Sequence, residues 1–428
     1  MYLVLFMLNG FSIVNSTLAP LNFLYSFFFY ALVLKNKTSE FNNYSEKILL
    51  LMILSLPFSW INFLGTNYNI LPISWFNVFG IAFIFSIFLK KNKLIPKKLL
   101  ILFTLSLLVI FLSVIPLLYS NKLFLNEATA QFIVLSFHNI IIFCSIFLYN
   151  SITPFKSEIY LSNYIRGAYY TCIMLILQYF SINYFSLNFG SIKYYLNRQS
   201  LLFLFSDASH GSLYLATATF LAFTYLFKKR NLTQFIRIFI MFCGVALTSA
   251  RTGLFVLIIF VFIFVLFKLS TVTKKIIGTI ISIALFQVGN IAMKSVRPMD
   301  NGDLLDGSGR INGYISALNL LKERPLTGYG YSQNFLAKLL NQPIPHLSLL
   351  QYSLHTGFII TFFLFLIQLI VLVDSHKKHS IIAWVIAMTL VGTCLIPDLF
   401  ATRFLTVLCV LSIMQTNTTT KYKNFDYI

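Results

Sequence analysis

Long apolar runs recur along the whole chain and limit what it can fold into. A helix of about 20 residues crosses a bilayer, and unpaired backbone groups are too costly in lipid for an open structure. Hydrophobic residues make up 58% of the sequence and charged residues 10%, against roughly 25% charged in a soluble domain. The strands of a β-barrel would alternate polar and apolar residues, and these runs do not. The sequence therefore predicts an all-α, polytopic integral membrane protein.

The runs predict about 12–14 transmembrane helices in a single membrane domain that comprises residues 1–428. Residues 1–34 form one long or two short helices, because Pro20 and Asn22 interrupt the run. One large polar loop, residues 294–345, is expected between two spans. The other spans are expected near residues 46–64, 70–89, 99–119, 128–149, 163–186, 209–227, 235–250, 252–268, 275–293, 347–373, 381–397 and 401–415.

Lysine clusters set the expected orientation of these spans. The strongly basic segment Lys90–Lys98 must face the cytoplasm by the positive-inside rule, and alternation of the spans then puts the 294–345 loop on the outer face. Positive-inside anchoring accounts for most of the formal charge of +20, and no nucleic-acid-binding motif is present. The five cysteines lie in apolar runs without a CxxC pair, so no metal site and no disulfide framework is expected.

Arginine and lysine divide differently between the two faces. Most lysines fall inside, whereas six of the nine arginines fall outside by this topology: Arg198, Arg251, Arg297, Arg310, Arg324 and Arg403. Topology alone does not separate the two residue types. The planar guanidinium binds phosphate with two parallel hydrogen bonds and keeps its charge when it is desolvated. The distribution therefore predicts a phosphate-containing anionic ligand on the outer face.

Arg251 is the clearest candidate, since it lies in ALTSARTGLF at a polar break between two apolar runs. A charge at membrane depth is costly and usually functional. The alternative is an interfacial arginine whose charge reaches the lipid phosphates. The flanking Thr248, Ser249 and Thr252 favour an arginine at the edge of a polar pocket. An arginine that only reaches the lipid phosphates would not need these polar neighbours.

Other polar residues have two interpretations each. Asp207 either binds a sugar hydroxyl or caps the following helix, and Arg403 either binds the ligand or pairs with Asp398. His346 opens a span and is either a general base or a hydrogen-bonded interfacial side chain. For His355 and His138, which fall within spans, packing is the favoured interpretation.

Four sequence blocks resemble the O-antigen polymerase and O-antigen ligase superfamily of bacterial membrane glycosyltransferases. RQSLLFLFSDAS lacks the glycine and proline of its block, LTSARTG matches around its arginine, and GSGRINGYISALNLLKERPLTGYG is the fullest match. HLSLLQYSLHTG matches at His346 and Gly357, but Leu347 and Ile360 replace a polar residue and a second glycine, and His355 stands where an acid is common.

The resemblance implies metal-independent glycosyl transfer in the periplasm, without a cofactor, at the bacterial inner membrane. It implies catalytic roles for His346, Arg251 and Arg310, and diphosphate or sugar binding by Arg198, Asp207, Ser209, Tyr314 and Arg324. The donor would be an oligosaccharide on undecaprenyl diphosphate, delivered from the lipid bilayer. A chain-length regulator is a further partner that the sequence leaves open.

Three functions fit these features. The favoured one is a polymerase that joins repeat units, because Leu347 and Ile360 replace the polar residue and the second glycine of the superfamily's block and the sequence is divergent and rich in Phe, Ile, Asn and Lys. The second is a ligase that transfers the glycan to lipid A-core, or a related protein O-oligosaccharyltransferase. The third is a flippase, which would need charged or broken helices at the midplane and sites on both faces; the candidate charges here gather on one side.

Overall fold

The computed structural model describes residues 1–36, 41, 43–62, 73–88, 95, 97–148, 155–195, 198–226, 231–268, 271–296, 310–341, 344–345, 347–378, 380–396 and 402–415. Within these ranges the chain forms seventeen α-helices: α1 Tyr2–Val14, α2 Ala19–Asn36, α3 Tyr44–Ser55, α4 Trp75–Phe88, α5 Leu100–Leu112, α6 Val114–Leu118, α7 Leu125–Leu148, α8 Ser157–Phe185, α9 Ala208–Leu226, α10 Leu232–Leu247, α11 Arg251–Lys268, α12 Val272–Val296, α13 Arg310–Glu323, α14 Gln333–Leu340, α15 Ser348–Lys377, α16 Ile381–Thr393 and α17 Arg403–Met414.

The prediction of an all-α, polytopic membrane protein is confirmed. Among the described residues, four helices are long and apolar enough to cross a membrane: Ser16–Lys35, Leu100–Leu118, Lys122–Leu148 and Ser348–Lys377. Seven shorter apolar helices of 10–17 residues accompany them. The five cysteines are free and buried or half-buried.

The first 36 residues form two helices instead of one. The chain turns at Asn15, whose side chain accepts a hydrogen bond from the backbone N–H of Thr17 (3.1 Å), and Pro20 is tolerated because it lies in the first turn of α2. The Nδ2 of Asn22 donates to Oδ1 of Asn9 (3.0 Å), and both side chains are buried. Such bonds between membrane helices are modest but specific, so the two helices pack as an antiparallel pair.

A short antiparallel sheet, which the sequence analysis did not predict, follows α8. Strand β1 (Ser191–Tyr195) pairs with β2 (Arg198–Phe203). The strands are too short to show the alternation on which sequence-based recognition depends. The hairpin is held to the bundle, because Gly190 donates its backbone N–H to the carbonyl of Gly10 in α1 (2.8 Å).

The large polar loop contains two helices, α13 and α14, and has a small apolar core of its own. This loop core consists of Ala317, Leu321, Tyr329, Leu336, Leu350 and Leu354. Its last two members lie in the first turns of α15. The loop is therefore packed onto the start of a long membrane helix.

A break in α15 receives the segment that follows α13. Gly357 has φ 77° and ψ 170°, so the helix is interrupted there. The backbone N–H of Phe358 donates to the carbonyl of Pro325 (2.8 Å), and that of Tyr329 donates to the carbonyl of Leu354 (2.7 Å). Backbone groups that the broken helix cannot pair internally are thus satisfied by the loop, as a buried position requires.

Glycine is required at this contact. A Cβ on Gly357 would collide with the carbonyl oxygen of Leu326, and a Cβ on Gly328 (φ 63°) would lie 2.6 Å from the carbonyl carbon of His355. Both obstacles are backbone atoms, which cannot move aside as a flexible side chain can. The glycines therefore set how closely the loop approaches α15.

Gly357→Ala is expected to destabilise the protein by roughly 3 kcal/mol, because its backbone conformation is essentially restricted to glycine and the added methyl group meets backbone. Gly313→Ala is the matched control, since nothing lies within 4 Å of a Cβ there and alanine favours a helix by about 0.5–1 kcal/mol. Thermal unfolding in detergent measures both. Equal unfolding temperatures for the two variants would contradict the close docking.

Candidate active site

Arg251 begins α11 directly after a tight turn. Helix α10 ends at Leu247, and Ser249 adopts a left-handed conformation with φ 57°. Thr248 and Ser249 are fully buried, and Thr252 is 8% exposed. A positive charge at the first turn of a helix is opposed by the helix dipole. The interaction of the Arg251 charge with the helix dipole therefore does not stabilise α11.

The guanidinium of Arg251 is drawn into the protein. The residue as a whole is half-buried, yet its Nε and Nη2 atoms are buried. A charge that only anchors a helix at the lipid surface would keep these atoms in contact with water or phosphate. The observed burial favours the interpretation of Arg251 as the edge of a polar pocket.

One hydrogen bond joins the hairpin to the Arg251 turn. Oγ of Ser200 in β2 lies 2.5 Å from Oγ of Ser249, and both side chains are fully buried. Ser200 comes two residues after Arg198, and Ser249 comes two residues before Arg251. The bond therefore brings together the backbones of two segments that each carry a predicted arginine. The side chain of Arg198 lies outside the described part of the structure.

Asp207 caps α9. Its Oδ1 accepts hydrogen bonds from the backbone N–H groups of Ser209 (2.8 Å) and His210 (3.1 Å), a favourable arrangement for a carboxylate at a helix start. The capping interpretation is thus the one that the structure shows, and a contact between Asp207 and a sugar hydroxyl stays a prediction.

The starts of α9 and α11 lie side by side. Glycine at 253 allows this, because a Cβ there would lie 2.5 Å from the carbonyl carbon of Ser212. Ser209 is half-buried, and its carbonyl accepts a hydrogen bond from Oγ of Ser212 (2.9 Å). Ser209 and Arg251 consequently belong to the same end of this helix pair. We refer to Arg198, Asp207, Ser209 and Arg251 as the Arg251 group.

The remaining predicted residues form a second set on the loop, which we call the loop group: Arg310, Tyr314 and Arg324. Arg310 begins α13, and its side chain lies outside the described part. Tyr314 is half-buried and packs against the loop core. His346 falls outside the described residues; its neighbour Leu347 is the N-cap residue of α15.

Arg324 is exposed, and its charge lies over an aromatic ring. Its guanidinium carbon is 5.1 Å from the ring centroid of Tyr329, within the range of a cation–π interaction. The hydroxyl of Tyr329 donates to Oε2 of Glu323 (2.9 Å). Burial, and then the hydrogen bond to Glu323, raise the pKa of Tyr329 to about 12. Tyr329 therefore stays neutral and supports Arg324 at the protein surface.

His355 and His138 both lie buried within membrane helices. His355 is fully buried, and its Nδ1 lies 2.7 Å from the carbonyl oxygen of Gly330, so it helps to hold the loop on α15. His138 is 9% exposed and lines a cavity of about 40 Å³ between α7, α15 and α17.

The start of α17 lies between the two groups. Arg403 is 4% exposed; it donates a hydrogen bond to the carbonyl of Ser59, and its guanidinium lies 5.7 Å from the Trp60 ring. The Trp60 ring packs edge-on against the ring of Phe205, with 4.9 Å between the ring centroids. Phe205 comes two residues before Asp207. Asp398, the predicted partner of Arg403, lies outside the described residues.

On its other side, α17 approaches the start of α15. Thr402, Leu405 and Tyr352 line the same cavity as His138. Helix α16 also packs against α9, α11 and α15. The starts of α9, α15 and α17 thus lie toward one end of the bundle.

Sequence reasoning missed two residues that organise this end. Ser200 gave no signal, because its partner Ser249 is 49 positions away. Glu127 could have been noticed as one of only 12 acidic residues in the chain, placed at the start of an apolar run. Its carboxylate accepts hydrogen bonds from the first residues of α14.

Comparison with known proteins finds a family match in one part of the chain. No curated protein matches the chain. The family model described as O-antigen ligase matches residues 236–365, from within α10 to the middle of α15. This stretch includes Arg251, the loop group and His346. The match is consistent with the O-antigen polymerase and ligase superfamily and confirms the resemblance at the three sequence blocks that it covers. The block RQSLLFLFSDAS precedes the matched stretch.

Proposed function

We propose that this protein is an O-antigen polymerase. It joins undecaprenyl-diphosphate-linked oligosaccharide repeat units by inverting, metal-independent glycosyl transfer on the periplasmic side of the bacterial inner membrane. The observation that carries the proposal is the bond between Ser200 and Ser249, because it joins the segment that bears Arg198 to the segment that bears Arg251 within the matched family region. The matched region supports a membrane glycosyltransferase-like enzyme; the donor, the acceptor and the orientation are part of the proposal.

The reaction replaces one C–O bond with another. An acceptor hydroxyl oxygen attacks the anomeric carbon of the donor sugar from the side opposite the leaving group, which inverts that carbon. The bond from the anomeric carbon to the diphosphate oxygen breaks, and undecaprenyl diphosphate leaves with the electron pair. The acceptor's proton must pass to a base, for which His346 is the candidate.

Arginines fit the needs of this leaving group. Negative charge develops on the diphosphate as the bond breaks, and preorganised cations lower the barrier without reorganisation. Arg251 is partly desolvated, where its attraction for an anion is stronger than in water. Arg324 is exposed at the edge of the loop and is suited to meet the diphosphate or the glycan as it enters.

A lipid-linked substrate also fits the location of the candidate residues. The first turns of α9, α11 and α15 are the ends of apolar helices, so the polyprenyl tail can stay in the bilayer while the diphosphate reaches the arginines. A ligase would use the same donor end, and the two reactions differ only in the acceptor. Leu347 and Ile360 stand where the superfamily's block has a polar residue and a second glycine, and we take these departures to favour the polymerase.

A strain that lacks the chain tests the proposal against its alternatives by a gel of surface lipopolysaccharide. A core that carries a single repeat unit, with the ladder lost, is the expected result. Loss of all repeat units from the core, with polymer on undecaprenyl diphosphate, would identify a ligase. Repeat units that stall on the cytoplasmic face would identify a flippase and refute glycosyl transfer.

Arg251→Ala and Arg310→Ala are each expected to reduce glycan extension by about 100-fold or more, because an electrostatic contact to the developing charge is lost. Arg251→Lys should restore little, since an ammonium does not reproduce the guanidinium fork. Ladder length and membrane insertion are measured together. Arg237→Ala is the control, because Arg237 stacks on Tyr169 (5.0 Å) and was assigned to the opposite face. Normal ladders in both alanine variants would refute the diphosphate contact.

His346→Ala is expected to retain binding of the lipid-linked donor and to lose turnover by about 100-fold or more, since a general base typically contributes about 100-fold to 10,000-fold. Donor binding and single-turnover rate in purified protein separate the two effects. A wild-type rate in this variant would reduce His346 to a structural residue.

A further inference from the structure

Glu127 joins α7 to the start of α14 across a large separation in sequence. Its carboxylate accepts hydrogen bonds from Oγ of Ser332 (2.6 Å), from the backbone N–H groups of Gln333 (3.0 Å) and Asn334 (3.3 Å), and from Nδ2 of Asn334 (3.0 Å). These residues are 205–207 positions from Glu127. Bonds to an ionised acceptor are stronger than neutral ones, and a negative charge is favoured at a helix start.

Local capping of α14 does not require Glu127. Oγ of Ser332 already accepts a hydrogen bond from the backbone N–H of Phe335 (3.1 Å) and serves as the N-cap. Glu127 itself is half-buried, and partial desolvation of a carboxylate is unfavourable unless hydrogen bonds compensate. The contact therefore fixes the position of α14 on the bundle in addition to capping it.

The segment between α13 and α14 bridges two parts of the protein. On one side Tyr331 donates its hydroxyl to the carbonyl of Ser113 (2.7 Å), and a Cβ on Gly330 would lie 2.8 Å from the Cα of Ser120. On the other side Gly330 donates its backbone N–H to the carbonyl of His355 (3.1 Å). Residues 329–334 thus connect the α6–α7 corner with the break in α15.

Tyr329 links residues 329–334 to the loop group. It belongs to the loop core with Ala317 and Leu321 of α13, and Arg324 lies over its ring. α13 also packs on α15. A shift of residues 329–334 would therefore move the helix that begins at Arg310 relative to the start of α15.

We propose that Glu127 is a positioning residue for glycosyl transfer: through Ser332–Asn334 it holds the loop so that α13 and the start of α15 keep their relative positions. The inference rests on the proposed function. A displacement of about 1 Å at a reacting group can reduce a rate by about 100-fold. Glu127 acts through the loop and has no contact with the substrate in this scheme.

The test compares Glu127→Ala, Glu127→Gln and Glu127→Asp with Asn126→Ala, an exposed neighbour on the same helix turn. All are made in the full-length chain, purified in lipid nanodiscs. Hydrogen exchange of residues 329–336 reports the position of the loop, and turnover of an undecaprenyl-diphosphate-linked repeat unit reports activity per folded molecule. The folded fraction is measured separately.

In Glu127→Ala the amides of Gln333 and Asn334 are expected to exchange about tenfold faster, because a hydrogen bond of typical net strength is lost. The turnover number should fall about tenfold to 100-fold, with little change in KM. Glu127→Gln, which keeps one acceptor oxygen, should recover part of both losses, and Asn126→Ala should match the wild type.

Unchanged exchange in Glu127→Ala would overturn the proposal, and so would faster exchange with a normal turnover number. A reduced yield of folded protein whose turnover is normal would show a structural role only and would equally refute positioning. Arg251→Ala distinguishes this failure from that of the proposed function. If Arg251→Ala is inactive while Glu127→Ala is normal, only the positioning role fails; if the wild-type chain transfers no glycan, both fail.

Discussion

The close approach of the loop to Gly357 is the constraint on which the candidate site depends. A helix broken at membrane depth leaves backbone groups unpaired, and these are costly unless other protein groups satisfy them. Here the partners are Pro325, Tyr329 and Gly330, so the loop and the helix complete each other. The described part of the loop that follows α13 consequently has a defined position on the bundle, although the loop is a long polar interval in an apolar chain.

Most of the helices could be predicted from the sequence, because an apolar run of bilayer length has one stable solution in lipid. The end of α10 and the start of α11 were anticipated from the polar break around Arg251, where Ser249 adopts φ 57°. The division of residues 1–34 was left open and is settled by Asn9 and Asn22. The sequence could not show this bond, because the spacing of Asn9 and Asn22 along the chain does not reveal whether their side chains face each other.

The contacts that assemble the candidate site could not be predicted in the same way. Ser200 with Ser249, and Glu127 with Ser332, are pairs far apart in sequence, and local periodicity contains no information on them. The hairpin was missed because five- and six-residue strands give too short a pattern. Asp207 was correctly seen as a possible cap, since an acid just before a helix has a local physical reason.

Two helices at the candidate site begin at an arginine: α11 at Arg251 and α13 at Arg310. The helix dipole disfavours a cation at this position, so the dipole gives neither helix stability from its arginine. Free backbone N–H groups and the positive end of the dipole do attract an anion there. An arginine in the same place adds a second attraction for the same ligand. The cost to the helices and the attraction for an anion thus arise from one arrangement, which membrane anchoring does not require and which supports the proposed phosphate-bearing substrate.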